Sequence, residues 1–226
     1  MGKLLVIEGL DGSGKDTQTR LLSERLKAAG QANTVISLPH YEDDSSALVK
    51  LYLGGAFGSK PGDVNAYAAS SFYAVDRYAG YKTRWGASYE SGGVILANRY
   101  TTSNACHQMT KLPRENWDAY LDWLFTYEYD LLGIPKPDGV IYLDMPVEVS
   151  QKLLAGRYAG DEGKKDVHER DVAYLAACHE AAAYCAKALG WQTIRCAAKG
   201  EPKPVAAIAD EVFACARAIL NETMGE

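Results

Sequence analysis

Leu4-Leu5-Val6-Ile7-Glu8-Gly9-Leu10-Asp11-Gly12-Ser13-Gly14-Lys15 is an apolar run entering a glycine-rich turn, and an amphipathic helix begins near Asp16. A turn of this kind between a buried strand and a helix start leaves backbone N–H groups aimed at one spot, where the helix dipole also favours an anion. Gly9, Gly12 and Gly14 can take backbone angles closed to residues with a Cβ, and Lys15 can reach β- and γ-phosphates as a mobile point charge. This is the pattern of a P-loop. It departs at one position: the residue after the lysine, ordinarily a Ser or Thr that ligates Mg2+, is Asp16.

The rest of the chain alternates short apolar runs with helical stretches. Candidate strands are 4–8, 34–38, 94–98, 139–144 and 192–196, bounded by Gly, Pro or Asp and mostly apolar on both faces, as strands of a covered parallel sheet are. Leu175, Cys178, Ala182, Ala186 and Leu189 recur at helical spacing, as do Val205, Ile208, Val212, Cys215 and Ile219, so each set forms a stripe to bury against the sheet. The expected fold is α/β: a doubly wound, five-stranded parallel sheet flanked by helices. Ligands then bind at the carboxyl ends of the strands, where the P-loop, 39–44, 98–108 and 144–146 should gather.

With 226 residues, the chain is expected to form one domain, 1–226. Lys and Arg total 24 against 29 Asp and Glu, a net charge of −5, which argues against a broad electrostatic footprint for nucleic acid or an anionic membrane. No stretch approaches the roughly 20 apolar residues of a membrane span, and the chain enters a strand without a signal-peptide layout. A soluble, cytoplasmic protein is expected. Five cysteines without a C-x-x-C pair fit a reducing compartment. Cys178 and Cys185, seven apart on a helix, would lie about 10 Å from each other, beyond the ~7 Å reach of a disulfide, and read as small core residues. The spacing of His40, His107, His168 and His179 suggests no structural metal.

Three further clusters narrow the chemistry. In Phe72-Tyr73-Ala74-Val75-Asp76-Arg77-Tyr78, Tyr73 and Arg77 lie one helical turn apart, so an aromatic plane and a planar cation can meet a nucleobase together. An aromatic helix packed in the core, with Arg77 in a structural ion pair, fits the same spacing. Asn98-Arg99-Tyr100-Thr101-Thr102-Ser103-Asn104-Ala105-Cys106-His107-Gln108 is a polar run just past a buried strand, where an arginine can fork onto a phosphate; its bland reading is a solvated loop. The charged segment 157–170, with two glycines, can close as a lid that brings cations to a transferring phosphoryl group, or can be a solvated loop.

Taken in order, G-L-D-G-S-G-K, F-Y-A-V-D-R, N-R-Y-T-T-S-N-A-C-H-Q and a lid ending D-V-H-E resemble the motifs of thymidylate kinases, P-loop enzymes that phosphorylate dTMP to dTDP with ATP. The third motif is similar to the family's D-R-Y-x-x-S-x-x-A-Y-Q. The resemblance implies an ATP site at Gly9, Leu10, Asp11, Gly12, Ser13, Gly14, Lys15, Asp16 and Thr17, with Arg157 from the lid. It implies that Tyr73 stacks on thymine, that Arg77 hydrogen-bonds its O4 and that Asn104 meets the base from the other side. Arg99 would hold the acceptor phosphate and Asp11 would face the acceptor sugar and the metal, with Ser103, His107 and Gln108 completing the substrate site. Catalysis would fall to Lys15, Asp11, Arg99 and the lid cations Arg157, Lys164 and Lys165, because the P-loop position that carries an arginine in part of the family is Gly12 here. Mg2+ with ATP is the implied cofactor, and a homodimer the implied assembly.

Four residues depart from the family pattern: Asp16, Asn98 in place of the Asp that opens D-R-Y, His107 in place of a tyrosine near the sugar, and His40 where an arginine is usual. Asp16 either favours the helix N-terminus or takes over, as a metal ligand, the carboxylate lost at position 98. At the level of function, a relaxed deoxypyrimidine monophosphate kinase and a nucleotide-binding regulator remain alternatives. A regulator needs neither a second nucleotide pocket nor a cationic cover.

Overall fold

The computed structural model describes residues 1–157 and 171–222, at Arg157 and Glu222 the backbone only. Strands β1 (Lys3–Glu8), β2 (Asn33–Ser37), β3 (Val94–Asn98), β4 (Gly139–Asp144) and β5 (Gln192–Arg195) form a parallel sheet in the order β2-β3-β1-β4-β5. A short antiparallel pair, β6 (Ala197–Ala198) and β7 (Glu201–Pro202), follows it. The helices are α1 (Lys15–Ala28), α2 (Ala47–Leu53), α3 (Ala66–Gly80), α4 (Gly86–Glu90), α5 (Thr101–His107), α6 (Trp117–Phe125), α7 (Val147–Arg157), α8 (Val172–Ala188) and α9 (Val205–Glu222). Two π-helical turns, Tyr81–Trp85 and Thr126–Leu131, extend α3 and α6.

Period-two alternation divides the strand residues between two cores. Leu4, Val6, Ile95, Ala97, Val140 and Tyr142 pack with α5, α6 and α8. Leu5, Ile7, Val94, Leu96, Ile141, Leu143 and Ile194 pack with α1 and α9. Leu4, Leu5, Val6 and Ile7 are fully buried, and such burial stabilises by about 1.5–3 kcal/mol per large aliphatic side chain. Ala181, Ala182, Cys185 and Ala186 present small side chains to Ala105 and Cys106 in the same core, which brings α8 close against α5.

The structure departs from the sequence reading at the margins. Burial on both faces holds for β1, β3 and β4 but not for the outer strands, where Ile36 and Ile194 are buried while Val35 is 43% exposed. Leu189 and Val205, the ends of the two predicted helical stripes, are exposed: Leu189 follows the last residue of α8 and Val205 is the first residue of α9. The 98–108 run is no solvated loop: it forms α5, with Thr101, Thr102, Asn104, Ala105, Cys106 and His107 buried.

Register aligns the carboxyl ends. Ile7 pairs with Asn98 and Asn98 with Ser37, so the residue before Glu8, the residue before Arg99 and the end of β2 lie in one row across the sheet.

Candidate active site

The P-loop lies between the central strand β1 and α1. Gly14 caps α1 at φ 89° and offers no side chain to the first-turn N–H groups, so these remain open to an anion. Gly12, at φ 79°, lies so close to α7 that a Cβ would stand 2.7 Å from the Ser150 carbonyl oxygen. Both positions therefore require glycine. The Lys15 ammonium donates to the Leu10 carbonyl at 2.8 Å and lies 3.9 Å from Asp11. Burial, reinforced by the nearby Arg99 charge, lowers the Lys15 pKa to about 8. The Leu10 side chain turns away into an apolar cluster with Val147, Leu175 and Cys178, so only its backbone belongs to the loop.

Arg99 follows β3 in a left-handed conformation, φ 68°, unusual for a residue with a Cβ and common where structure holds a functional side chain in place. Its guanidinium donates to Asp11 and, at 3.3 Å, to Ser103 Oγ; it lies 3.4 Å from His107 Nε2 and 3.9 Å from Glu8. Burial opposes the Arg99 charge, but Asp11 and Glu8 outweigh it and raise the pKa. Glu8, fully buried at the end of β1, accepts from the Gly9 N–H (2.9 Å), Thr102 Oγ1 (2.6 Å) and Ser103 Oγ (2.8 Å). It thereby ties the P-loop to α5.

A cavity of about 760 Å³ joins these groups to α3. It is lined by Asp11, Gly12, Gly14, Lys15, Asp16 and Thr17 at one end and by Tyr73, Arg77, Asn104 and Gln108 at the other, with Arg99, Ser103 and His107 between. The Gln108 Oε1 atom is buried in this wall with no hydrogen-bond partner among the described residues. Arg77 lines the cavity and also forms the structural ion pair, a buried two-pronged contact with Glu128 through Nε at 2.6 Å and Nη2 at 2.5 Å. Tyr73 faces the cavity with its ring set edge-on to Tyr52, centroids 6.4 Å apart.

Asp16 and Asn98 are in direct contact, Asn98 Nδ2 donating to Asp16 Oδ1 and, at 3.2 Å, to Ser37 Oγ. Asn98 Oδ1 is buried and has no hydrogen-bond partner among the described residues. The 39–44 loop reaches the cavity through Pro39 and Tyr41, held from below by Asp76, which accepts from the His40 N–H (2.8 Å) and Ser45 Oγ (2.7 Å). Asp144 does not line this cavity; it pairs with His179 of α8 at 2.7 Å. The 157–170 lid, including Lys164, Lys165 and the Arg157 side chain, lies outside the described residues.

Glu8, Asp76 and Glu128 carry no role in the sequence reading. A carboxylate as the last residue of an otherwise apolar strand was the available signal for Glu8, and Asp76 stands beside Arg77 in a recognised motif. Nothing local marks Glu128.

A family model described as thymidylate kinase matches residues 7–201. The chain is 31% identical over 170 residues to a thymidylate kinase of Mycobacterium tuberculosis, covering 74% of this chain and 78% of that one. It is 30% identical over 169 residues to a probable thymidylate kinase of Thermococcus gammatolerans, covering 74% and 77%. Among solved structures, the thymidylate kinase of Candida albicans superposes with a TM-score of 0.70 at 19% identity, over 97% of this chain and 93% of that one, a likeness of fold.

Proposed function

The chain belongs to the thymidylate kinase family, and from that premise we propose that it transfers the γ-phosphoryl group of ATP to dTMP, giving dTDP and ADP. The observation that carries this reading is one continuous cavity with a P-loop at one end and an aromatic–arginine–amide wall at the other, Arg99 standing between them. A nucleotide switch has no use for the second end.

In this reading Lys15 and the first-turn amides of α1 hold the donor phosphates, while Arg99 holds the acceptor phosphate. Tyr73 covers one face of the base, and Arg77 and Asn104 meet its edge. An acceptor phosphate oxygen attacks the γ-phosphorus in line, with no covalent enzyme intermediate. The protein aligns two nucleotides and neutralises the charge that spreads between them. No strong general base is required, because the second pKa of a phosphate monoester is near ~6. Arg157, Lys164 and Lys165, whose side chains lie outside the described residues, would supply the remaining positive charge.

The oxygen donors near the P-loop suit Mg2+, a hard cation that keeps water and phosphate ligands and takes only one or two carboxylates from protein. Asp16 and the orphaned Asn98 Oδ1, with Asp11 close by, would hold it directly or through water. When bound, Mg2+ neutralises the donor phosphates. We assign the protein to the cytoplasm as one kinase domain acting as a homodimer; no helix among the described residues is long and apolar enough to cross a membrane.

The test is ADP release in a coupled assay with ATP and dTMP, repeated with dUMP, dCMP and dGMP. Folded protein that does not turn over dTMP in the presence of Mg2+ overturns the proposal.

A further inference from the structure

Arg77 and Asn104, the two side chains that meet the base edge in the function proposed above, end on the same carboxylate. Glu128, fully buried in the π-helical turn Thr126–Leu131, accepts from Arg77 Nε and Nη2 and from Thr101 Oγ1 at 2.8 Å through one or other of its oxygens. It also accepts from Asn104 Nδ2 at 3.2 Å. Asn104 Nδ2 donates a second hydrogen bond to the Ser70 carbonyl, again at 3.2 Å.

These contacts settle which way the Asn104 amide faces. Turned over, its oxygen would meet a carboxylate oxygen and a carbonyl oxygen with no proton between them. With the NH2 group committed to Glu128 and Ser70, the atom left to the cavity that Asn104 lines is Oδ1, an acceptor. Arg77, with no acceptor of its own, can only donate. The wall therefore offers donor and acceptor side by side, which complements the carbonyl O4 and N3–H of thymine or uracil. Cytosine presents the opposite pair, an amino group and an unprotonated N3, and would set donor against donor and acceptor against acceptor.

We infer that Glu128 is a positioning residue that fixes the hydrogen-bond polarity of the base wall, so that the site selects 4-oxo pyrimidines over 4-amino pyrimidines. The inference rests on the dTMP kinase reading. It assigns discrimination to a residue that touches no substrate and lies behind both residues that do.

Glu128→Gln replaces one carboxylate oxygen with an NH2 group and removes the charge, so that only the Ser70 carbonyl still holds the Asn104 amide in its orientation. Glu128→Asp keeps the negative charge beside Arg77, protecting the fold, but is too short to serve Arg77 and Asn104 together. Both variants should raise KM for dTMP with KM for ATP unchanged, and should raise the dCMP-to-dTMP ratio of kcat/KM by roughly tenfold or more, the scale of one oriented hydrogen bond. Tm and circular dichroism establish folding; if Glu128→Gln does not fold, Glu128→Asp decides. A ratio unchanged in a folded variant, or equal losses for ATP and dTMP, overturns the inference while leaving the kinase reading intact. Wild-type protein that accepts dCMP as well as dTMP also overturns it. Wild-type protein that phosphorylates neither overturns the kinase reading itself.

Discussion

Lys15 carries its charge into a site that works against it, since burial and Arg99 together bring its pKa down to about 8. Free protein therefore loses this charge as pH rises through 8, whereas a bound triphosphate favours the charged form and raises the pKa again. ATP binding above that point must take up a proton, and affinity should fall by up to about tenfold per pH unit. Calorimetry at about pH 8.5 in buffers of different ionisation heat reads the uptake, and its absence would remove Lys15 from the phosphate site. Lys15→Ala should abolish the uptake and nearly all transfer while keeping the circular dichroism spectrum. A second prediction concerns Asp16 and Asn98, which touch and together keep the one carboxylate that the family pattern places at position 98. Asp16→Thr and Asn98→Asp should each raise the Mg2+ concentration for half-maximal rate, and the double variant should recover much of the loss. A coupling equally strong at saturating Mg2+ would mean that a hydrogen bond alone links them. Lys15, Arg99 and Tyr73 could be singled out because each stands in a short local motif, the glycine-rich turn, the polar run after β3 and the aromatic–arginine helix, and all three line the cavity. Glu8 and Glu128 were not, because the donors that define them lie 94 and 51 residues away.

At the scale of elements, apolar runs located the strands to within a residue at each end; β1, β3 and β4 are covered on both faces and therefore apolar, while β2 and β5 were marked by shorter runs between turn residues. What the pattern lacked was where each helix ends, so Leu189 and Val205 continue their stripes into solvent. Side-chain pairing between elements was equally hidden. Asp144 ends β4 at the ligand edge but serves α8 instead, through His179. The hydrogen bond that His179 Nε2–H donates to Asp144 raises the His179 pKa above 6.5 against the opposing effect of burial, with smaller support from the charges of Asp144 and Glu148. A raised folded-state value means that the imidazolium contributes its full stabilisation below the unfolded pKa of about 6.5 and loses it as pH climbs through the folded one. The Tm difference between wild type and His179→Asn should therefore be larger at pH ~5.5 than at pH ~8.5. A difference constant across that range would show that packing, and not charge, joins α8 to β4.

For the whole molecule, the consequential element is α3, which is occupied on two sides. Tyr73 and Arg77 face the cavity, while Tyr67, Val75 and Tyr78 fall within about 80° of one another at 100° per residue and are 42%, 48% and 40% exposed. Sequence alone could not separate these faces, because F-Y-A-V-D-R-Y is apolar nearly all round; only the packing against α5 and the 44–46 turn shows which side is left over. An exposed apolar stripe on a helix is what a self-complementary interface requires, and an isologous dimer would pair it with its own copy. Sedimentation equilibrium should then give twice the monomer mass. Val75→Glu and Tyr78→Glu should lower it toward the monomer at little cost to the fold, since exposed substitutions usually change stability by about 0.5 kcal/mol or less. A dimer contact on the outer face also steadies the inner one, so these variants should raise KM for dTMP more than KM for ATP. Monomeric wild-type protein at assay concentration would remove the dimer. A dimer indifferent to both substitutions would place its interface away from α3.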